Sequence, residues 1–173
     1  GEYQKVLDAY HQLEQEGNLP VRIYEQCLLA SVPLLEKFLS EGHHTNEGSP
    51  MFRIGTLKLL VDGSLGGKTA FLRKPYKNDP STKGIATFTQ EELDKLVSMA
   101  QASGLMISPH NIGDSAMEMD LNAIENAQIQ YPRADMRHAL IHCQITDLDL
   151  LKRCRDLNVV MHVQPAFIDS DMH

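Results

Sequence analysis

The chain has 173 residues, which suits one ordinary domain, and its 42% hydrophobic content is enough to build a core. A net charge of −7, with no basic run and no interleaving of aromatic and basic residues, argues against a nucleic-acid surface. No apolar stretch approaches the ~18 residues of a membrane helix, residues 1–17 are too polar for a signal peptide, and the odd set Cys27, Cys143 and Cys154 lacks a Cys-x-x-Cys pair, so a cytoplasmic protein with no membrane partner is expected.

Taken in order, Val6, Leu7, Tyr10 and Leu13 recur at helical spacing and stop at Gly17-Asn18, which predicts a first helix. Residues 19–24 read as a short strand with Pro20 tolerated at its start. Residues 28–39 read as a helix with Pro33 in its first turn. Residues 41–50 form a polar loop whose His43-His44 is assigned no role. Residues 54–61 form a buried strand that carries one lysine, Lys58.

From 62 to 88 runs a long polar connection studded with Gly and Pro. Loops of that length inside a compact domain tend to be functional. This one is expected to cover the C-terminal edge of the sheet, poorly ordered over 74–84. Thr89-Gln90-Glu91-Glu92 is a capping box, and Leu93, Leu96, Val97 and Ala100 follow at helical spacing up to Gly104. Residues 105–110 form a strand. Asp114 is read as the cap of a helix whose apolar face holds Met117, Leu121, Ile124 and Ala127. Residues 138–142 form a strand, 146–157 a helix and 159–163 a strand, with no helix expected after Val163.

Strict alternation of helices and short apolar strands predicts an α/β fold with a parallel sheet. Such sheets and (β/α)₈ barrels place their sites at the C-terminal ends of the strands. The five strands are too few for a closed barrel, and the pattern stops in mid-unit at His173, so the chain reads as an excerpt.

Three metal-competent side chains lie at or near predicted strand ends. A lysine in an apolar run is costly unless neutralised or paired. Lys58 therefore either pairs with Asp62 or snorkels, or has a pKa lowered by burial that leaves an amine able to act as nucleophile or base, or to take up carbon dioxide as a carbamate. His110 and His142 close successive strands about one βα unit apart, which puts two imidazoles, common zinc ligands, on neighbouring strands at one end. Each histidine alone also fits a core or capping role. Gly67-Lys68-Thr69 matches the end of a phosphate loop, but Asp62 stands where its first glycine belongs and the next helix starts too late. A tight turn through Gly63 at the mouth of a site is the more economical reading. His162 points either into the site or into the core, and Gln144 and Gln164 follow their strands at matching positions, placed to bond a polar substrate.

Lys58-Leu59-Leu60-Val61-Asp62-Gly63-Ser64-Leu65-Gly66, His110-Asn111-Ile112-Gly113-Asp114, Arg137-His138-Ala139-Leu140-Ile141-His142-Cys143-Gln144 and Gln164-Pro165, with Ser170-Asp171 beyond, resemble the YtcJ-like branch of the amidohydrolase superfamily. Proteins of that branch are metal-dependent hydrolases, related to an N-substituted formamide deformylase, built on a (β/α)₈ TIM barrel beside a small β-sandwich. The resemblance implies that residues 1–173 are one partial barrel domain, about strands 3 to 7, without the β-sandwich or the first and last strands. It implies metal-ligand roles for Lys58, His110 and His142. Asp62, Gly63, Asp114, Gln144, His162 and Gln164 are then candidates to bind substrate or support the ligands. The family's strand-one His-x-His and its strand-eight aspartate, the expected base, fall outside these residues, so no catalytic residue is assigned here. The chain departs from the family at Asn111, usually alanine, at Ile141, usually glutamate, and at Phe167, often histidine.

The resemblance implies a metal-dependent amidohydrolase that cleaves a C–N bond of an amide or formamide with metal-activated water, using one or two divalent ions, zinc first among them. Its substrate is a small molecule, and a homo-oligomer is expected. The alternative is a non-catalytic barrel of the same fold used for binding or regulation. The 173 residues by themselves are expected to be inactive and to hold metal weakly or not at all.

Overall fold

The computed structural model describes residues 2–167 and Asp169. Helix α1 (Glu2–Gln15) leads to strand β1 (Ile23–Leu28), α2 (Val32–Ser40) to β2 (Phe52–Lys58), and α3 (Gln90–Ser103) to β3 (Met106–Ile107) and β4 (His110–Asn111). Then follow α4 (Asp114–Gln130), β5 (Ala139–His142), α5 (Leu148–Asp156) and β6 (Val160–His162). Every strand pair is parallel, in the orders β1-β2-β3 and β4-β5-β6. The α/β class read from the alternating pattern is therefore the class observed.

The two sheets share one stretch of chain, 106–111. Pro109 has no N–H to give a ladder, and the strand is split there. The hydrogen bonds nevertheless run on across the break. Ser108 and His110 donate to the carbonyls of Leu57 and Leu59 at 2.9 and 2.8 Å, and Ile141 donates to that of Pro109 at 2.9 Å. Helices and strands close on one core in which Leu57, Leu59, Val61, Ile107 and Leu140 meet Leu93, Leu96, Val97, Leu121 and Ile124. Each fully buried leucine contributes about 1.5–3 kcal/mol relative to exposure.

The second and third predicted elements are displaced. The strand expected at 19–24 lies at Ile23–Leu28, and the helix expected from 28 starts at Val32. Cys27 and Leu28 are held in the strand by pairing with Leu57 and Lys58, a tertiary constraint that overrides the helical reading of Leu28. Pro33 does occupy the first turn of α2. At the other end, Phe167 and Asp169 are helical, where no helix was expected after Val163.

The segment 62–88 is irregular, as expected, but it is tightly bonded rather than loose. Leu72 donates to Lys83 O at 2.7 Å, Ile85 to Thr69 O at 3.2 Å and Thr87 to Val61 O at 3.0 Å. Tyr76 Oη donates to Ala70 O at 2.9 Å, and Lys68 pairs with Asp79 at 3.1 Å. The loop also docks on α4: Phe71 O receives the N–H groups of Ser115 and Ala116 at 3.1 and 3.3 Å, satisfying free donors of that helix's first turn. Gly113 makes this approach possible, since a Cβ there would collide with the Phe71 carbonyl. The N-cap of α4 is Gly113 rather than Asp114. No helix begins at Lys68, which sits in a turn at φ +53, so the phosphate-loop reading has no framework.

Candidate metal centre

The strand register builds the site. β4 and β5 pair with His110 opposite Ile141 and Asn111 opposite His142, so both histidines reach the same end of the sheet. Their rings meet edge to face, with centroids 4.5 Å apart and planes at 73°. His142 and Cys143 both take positive φ, +82 and +47, a conformation that L side chains adopt rarely and that gathers at functional sites. The chain bends there and turns the His142 ring toward His110.

Hydrogen bonds assign both tautomers. His110 Nε2 lies 2.9 Å from Gly63 O, and a carbonyl only accepts, so Nε2 carries the proton and Nδ1 keeps its lone pair. His142 Nδ1 lies 2.7 Å from Gln164 Oε1. The orientation of that amide follows from its other end, where Gln164 Nε2 donates to His162 O at 3.1 Å. His142 is thus protonated at Nδ1 and free at Nε2. Each ring is anchored through one nitrogen and offers the other to a cation, the arrangement that fixes the tautomer of a metal-binding histidine. Burial pushes the pKa of His142 down, and the neighbouring His110 and Lys58 add to that. The neutral, ligand-competent form is favoured.

Lys58 is the last residue of β2 and half-buried. Burial lowers its pKa, partly opposed by Asp120, and it makes no ion pair among the described residues. Pairing with Asp62 is corrected, because the fully buried Asp62 carboxylate is spent elsewhere. It accepts N–H groups from Phe71 at 2.9 Å, Ile112 at 3.0 Å and Gly113 at 2.8 Å, and stands 3.4 Å from His110 Nε2. Asp62 therefore ties the long loop to the segment after β4 and backs the His110 ring.

The other candidates divide. Gly63 supplies the carbonyl that holds His110, and Gln164 holds His142. Gln144 lines a cavity beside His142. Asp114 accepts the Arg73 N–H at 2.8 Å and so serves the loop. His162 is exposed among the described residues, and it contributes its backbone carbonyl.

Sequence reasoning missed a buried polar pair beneath the site. Asn111 Nδ2 donates to Asp120 Oδ2 at 2.9 Å, and both residues are fully buried. Asp120 Oδ1 has no hydrogen-bond partner, and burial drives its carboxyl pKa well up. The signal was present: position 120 lies three residues after Met117 and four before Ile124, on the face read as apolar.

Among the described residues no group of three or more His, Cys, Asp or Glu side chains is arranged to hold a metal. The donor set at the strand ends is two imidazole lone pairs and a lysine amine of lowered pKa. Two imidazoles suit zinc or a similar divalent ion, and the amine suits one only when its positive charge is removed. The site chemistry thus fits a divalent cation in part.

A parallel α/β unit with titratable side chains gathered at its strand ends is the framework of an α/β enzyme. The chain belongs to the amidohydrolase family, whose sequence profile matches residues 1–173. YtcJ of Bacillus subtilis (strain 168), whose name places it among the amidohydrolases, is 40% identical over 172 residues, 99% of this chain and 31% of YtcJ. Protein LONG AFTER FAR-RED 3 of Arabidopsis thaliana is 30% identical over 118 residues, 68% of this chain and 20% of that protein. Crystal structures of uncharacterized metal-dependent hydrolases from Pyrococcus furiosus and Pyrococcus horikoshii OT3 share the fold, with TM-scores of 0.83 and 0.82 at 34% and 35% identity. Each match covers 96% of this chain, and 33% and 32% of the two hydrolases. The chain spans about a third of the length of YtcJ and of these hydrolases.

Proposed function

We propose that this chain carries a central part of the active site of a metal-dependent hydrolase that cleaves the C–N bond of a small-molecule amide or formamide. The observation that carries the reading is the His110–His142 pair, with rings 4.5 Å apart and opposite nitrogens left free. On this reading the residues are a single partial domain, about strands 3 to 7 of a (β/α)₈ barrel. Lys58, His110 and His142 hold one or two divalent ions, with zinc the first choice for two imidazoles. A bound divalent ion would polarise the amide carbonyl and make water more acidic. The chain's own residues prepare for that. Gly63 and Gln164 hold the two imidazoles aimed, Asp62 fixes the loop that carries Gly63, and burial favours the neutral form of His142 and makes the Lys58 amine easier to deprotonate, the form that takes up carbon dioxide.

The buried free thiols of Cys27, Cys143 and Cys154 agree with a reducing, cytoplasmic setting. No helix among the described residues is long and apolar enough to cross a membrane. The test is hydrolysis of a panel of small amides by the full-length protein before and after chelation. Turnover that disappears with the metal and returns with zinc is expected. Stoichiometric metal without turnover of any amide would favour the binding or regulatory alternative.

A further inference from the structure

We propose that the cleft beyond β5 and β6 is the subsite for an apolar substituent of the substrate, one aryl ring or branched alkyl group in size, with Phe167 as its wall. The proposal rests on the reading of His110 and His142 as the metal-binding pair.

Three observations converge on it. The cleft has a volume of about 210 Å³ and is lined by Val163, Pro165 and Phe167 on its apolar side and by His142 and Gln144 on its polar side. An apolar cavity of ~150 Å³ takes up benzene, so this one suits a single ring. It is continuous with the candidate metal centre, because His142 belongs to both. The Phe167 ring lies nearly parallel over the His142 imidazole, at 19° and 5.9 Å between centroids. A substituent against Phe167 is therefore held one ring's width from the histidine pair.

The polar groups nearby are already engaged: the Gln164 amide is bonded to His142 and to His162 O, so it closes the wall rather than offering a donor. The larger cleft between α2, α3 and α4, lined by Glu36, Asp94 and Lys95 among others, has no such connection to the strand ends.

Benzamide and acetamide, primary amides that differ only in phenyl against methyl, are the probes. Their binding to the metal-loaded full-length protein is measured by calorimetry, and their conversion with water to the carboxylate and ammonium is followed separately. The wild-type protein is expected to bind benzamide about tenfold or more tightly than acetamide. Phe167→Ala should reduce that preference about tenfold, Phe167→Leu should keep most of it, and Phe167→Gln, close to leucine in length but polar, should lose it. Equal affinity for the two amides in the wild type overturns the subsite, as does an unchanged preference in Phe167→Gln. Where Phe167→Ala lowers the unfolding temperature, the Leu and Gln variants carry the comparison, since both fill more of the space than alanine and differ mainly in polarity. Selective benzamide binding without ammonium release sustains the subsite while removing the hydrolase reading. Ammonium release with no phenyl preference does the reverse.

Discussion

His142 is useful because of a residue that never touches the candidate metal position. Gln164 is oriented by His162 O and in turn fixes the proton of His142 on Nδ1. Replacing Gln164 by leucine should leave the fold intact but free the imidazole to rotate and change tautomer. We expect zinc affinity of the full-length protein to fall about 10- to 100-fold, measured by competition with a chromophoric chelator; an unchanged affinity would contradict the role. His138 makes a different prediction. It is fully buried, accepting the Ile107 N–H at Nδ1 and donating from Nε2 to Gln101 Oε1, whose amide is oriented by Tyr131 O. A proton on Nδ1 would face another donor, and burial holds the pKa near 4 against an ordinary 6.5. The folded state binds this proton less readily than the unfolded chain, so the contribution is complete above pH 6.5 and is lost as pH falls from 6.5 toward 4. The loss amounts to about 3 kcal/mol. Urea unfolding across that range should show the decline, and His138→Gln should flatten it. The positions of His110 and His142 were legible because each closes an apolar run one βα unit from the other. Their tautomers were not, since these depend on Gly63 and Gln164, residues brought near only by strand register.

Strands and helices with strong local signals came out where they were read. Thr89 accepts from Glu92 N, and the Glu92 side chain returns to the Thr89 N–H, so the capping box is real. The strand read at 54–61 overlaps β2, which lies at Phe52–Lys58, the one read at 105–110 holds β3 and the start of β4, and the one read at 138–142 contains β5. The first strand was misplaced because Leu28 fits a helical spacing as well as a strand, and only pairing with β2 decides between them. The long loop was legible as a loop, but its order was not. That order comes from one carboxylate, Asp62, which gathers N–H groups from Phe71, Ile112 and Gly113. Asp62→Ala would leave these donors without their acceptor in a site closed to water. A loss of about 3 kcal/mol or more is expected in chemical denaturation, with faster proteolysis inside 62–88 than anywhere else in the chain. A loss below ~1 kcal/mol would show that the loop is held by its other bonds.

At the scale of the molecule, the succession of parallel strands brings Lys58, His110 and His142 to one end of the sheet, and the family resemblance extends across the whole span. The overall class followed from the alternation of elements, whereas the contacts between β4 and β5 that make two histidines a pair depend on a register that periodicity does not specify. The central claim is that these three side chains hold a divalent metal in the full-length protein. It is tested most directly by metal analysis of the full-length protein and its His110→Ala, His142→Ala double variant after exhaustive dialysis, with circular dichroism to establish that both are folded. At least one equivalent of divalent metal in the wild type, falling below about a tenth of that in the folded variant, is the predicted result. Equal metal content in the two proteins, or a wild type that takes up none, would contradict it.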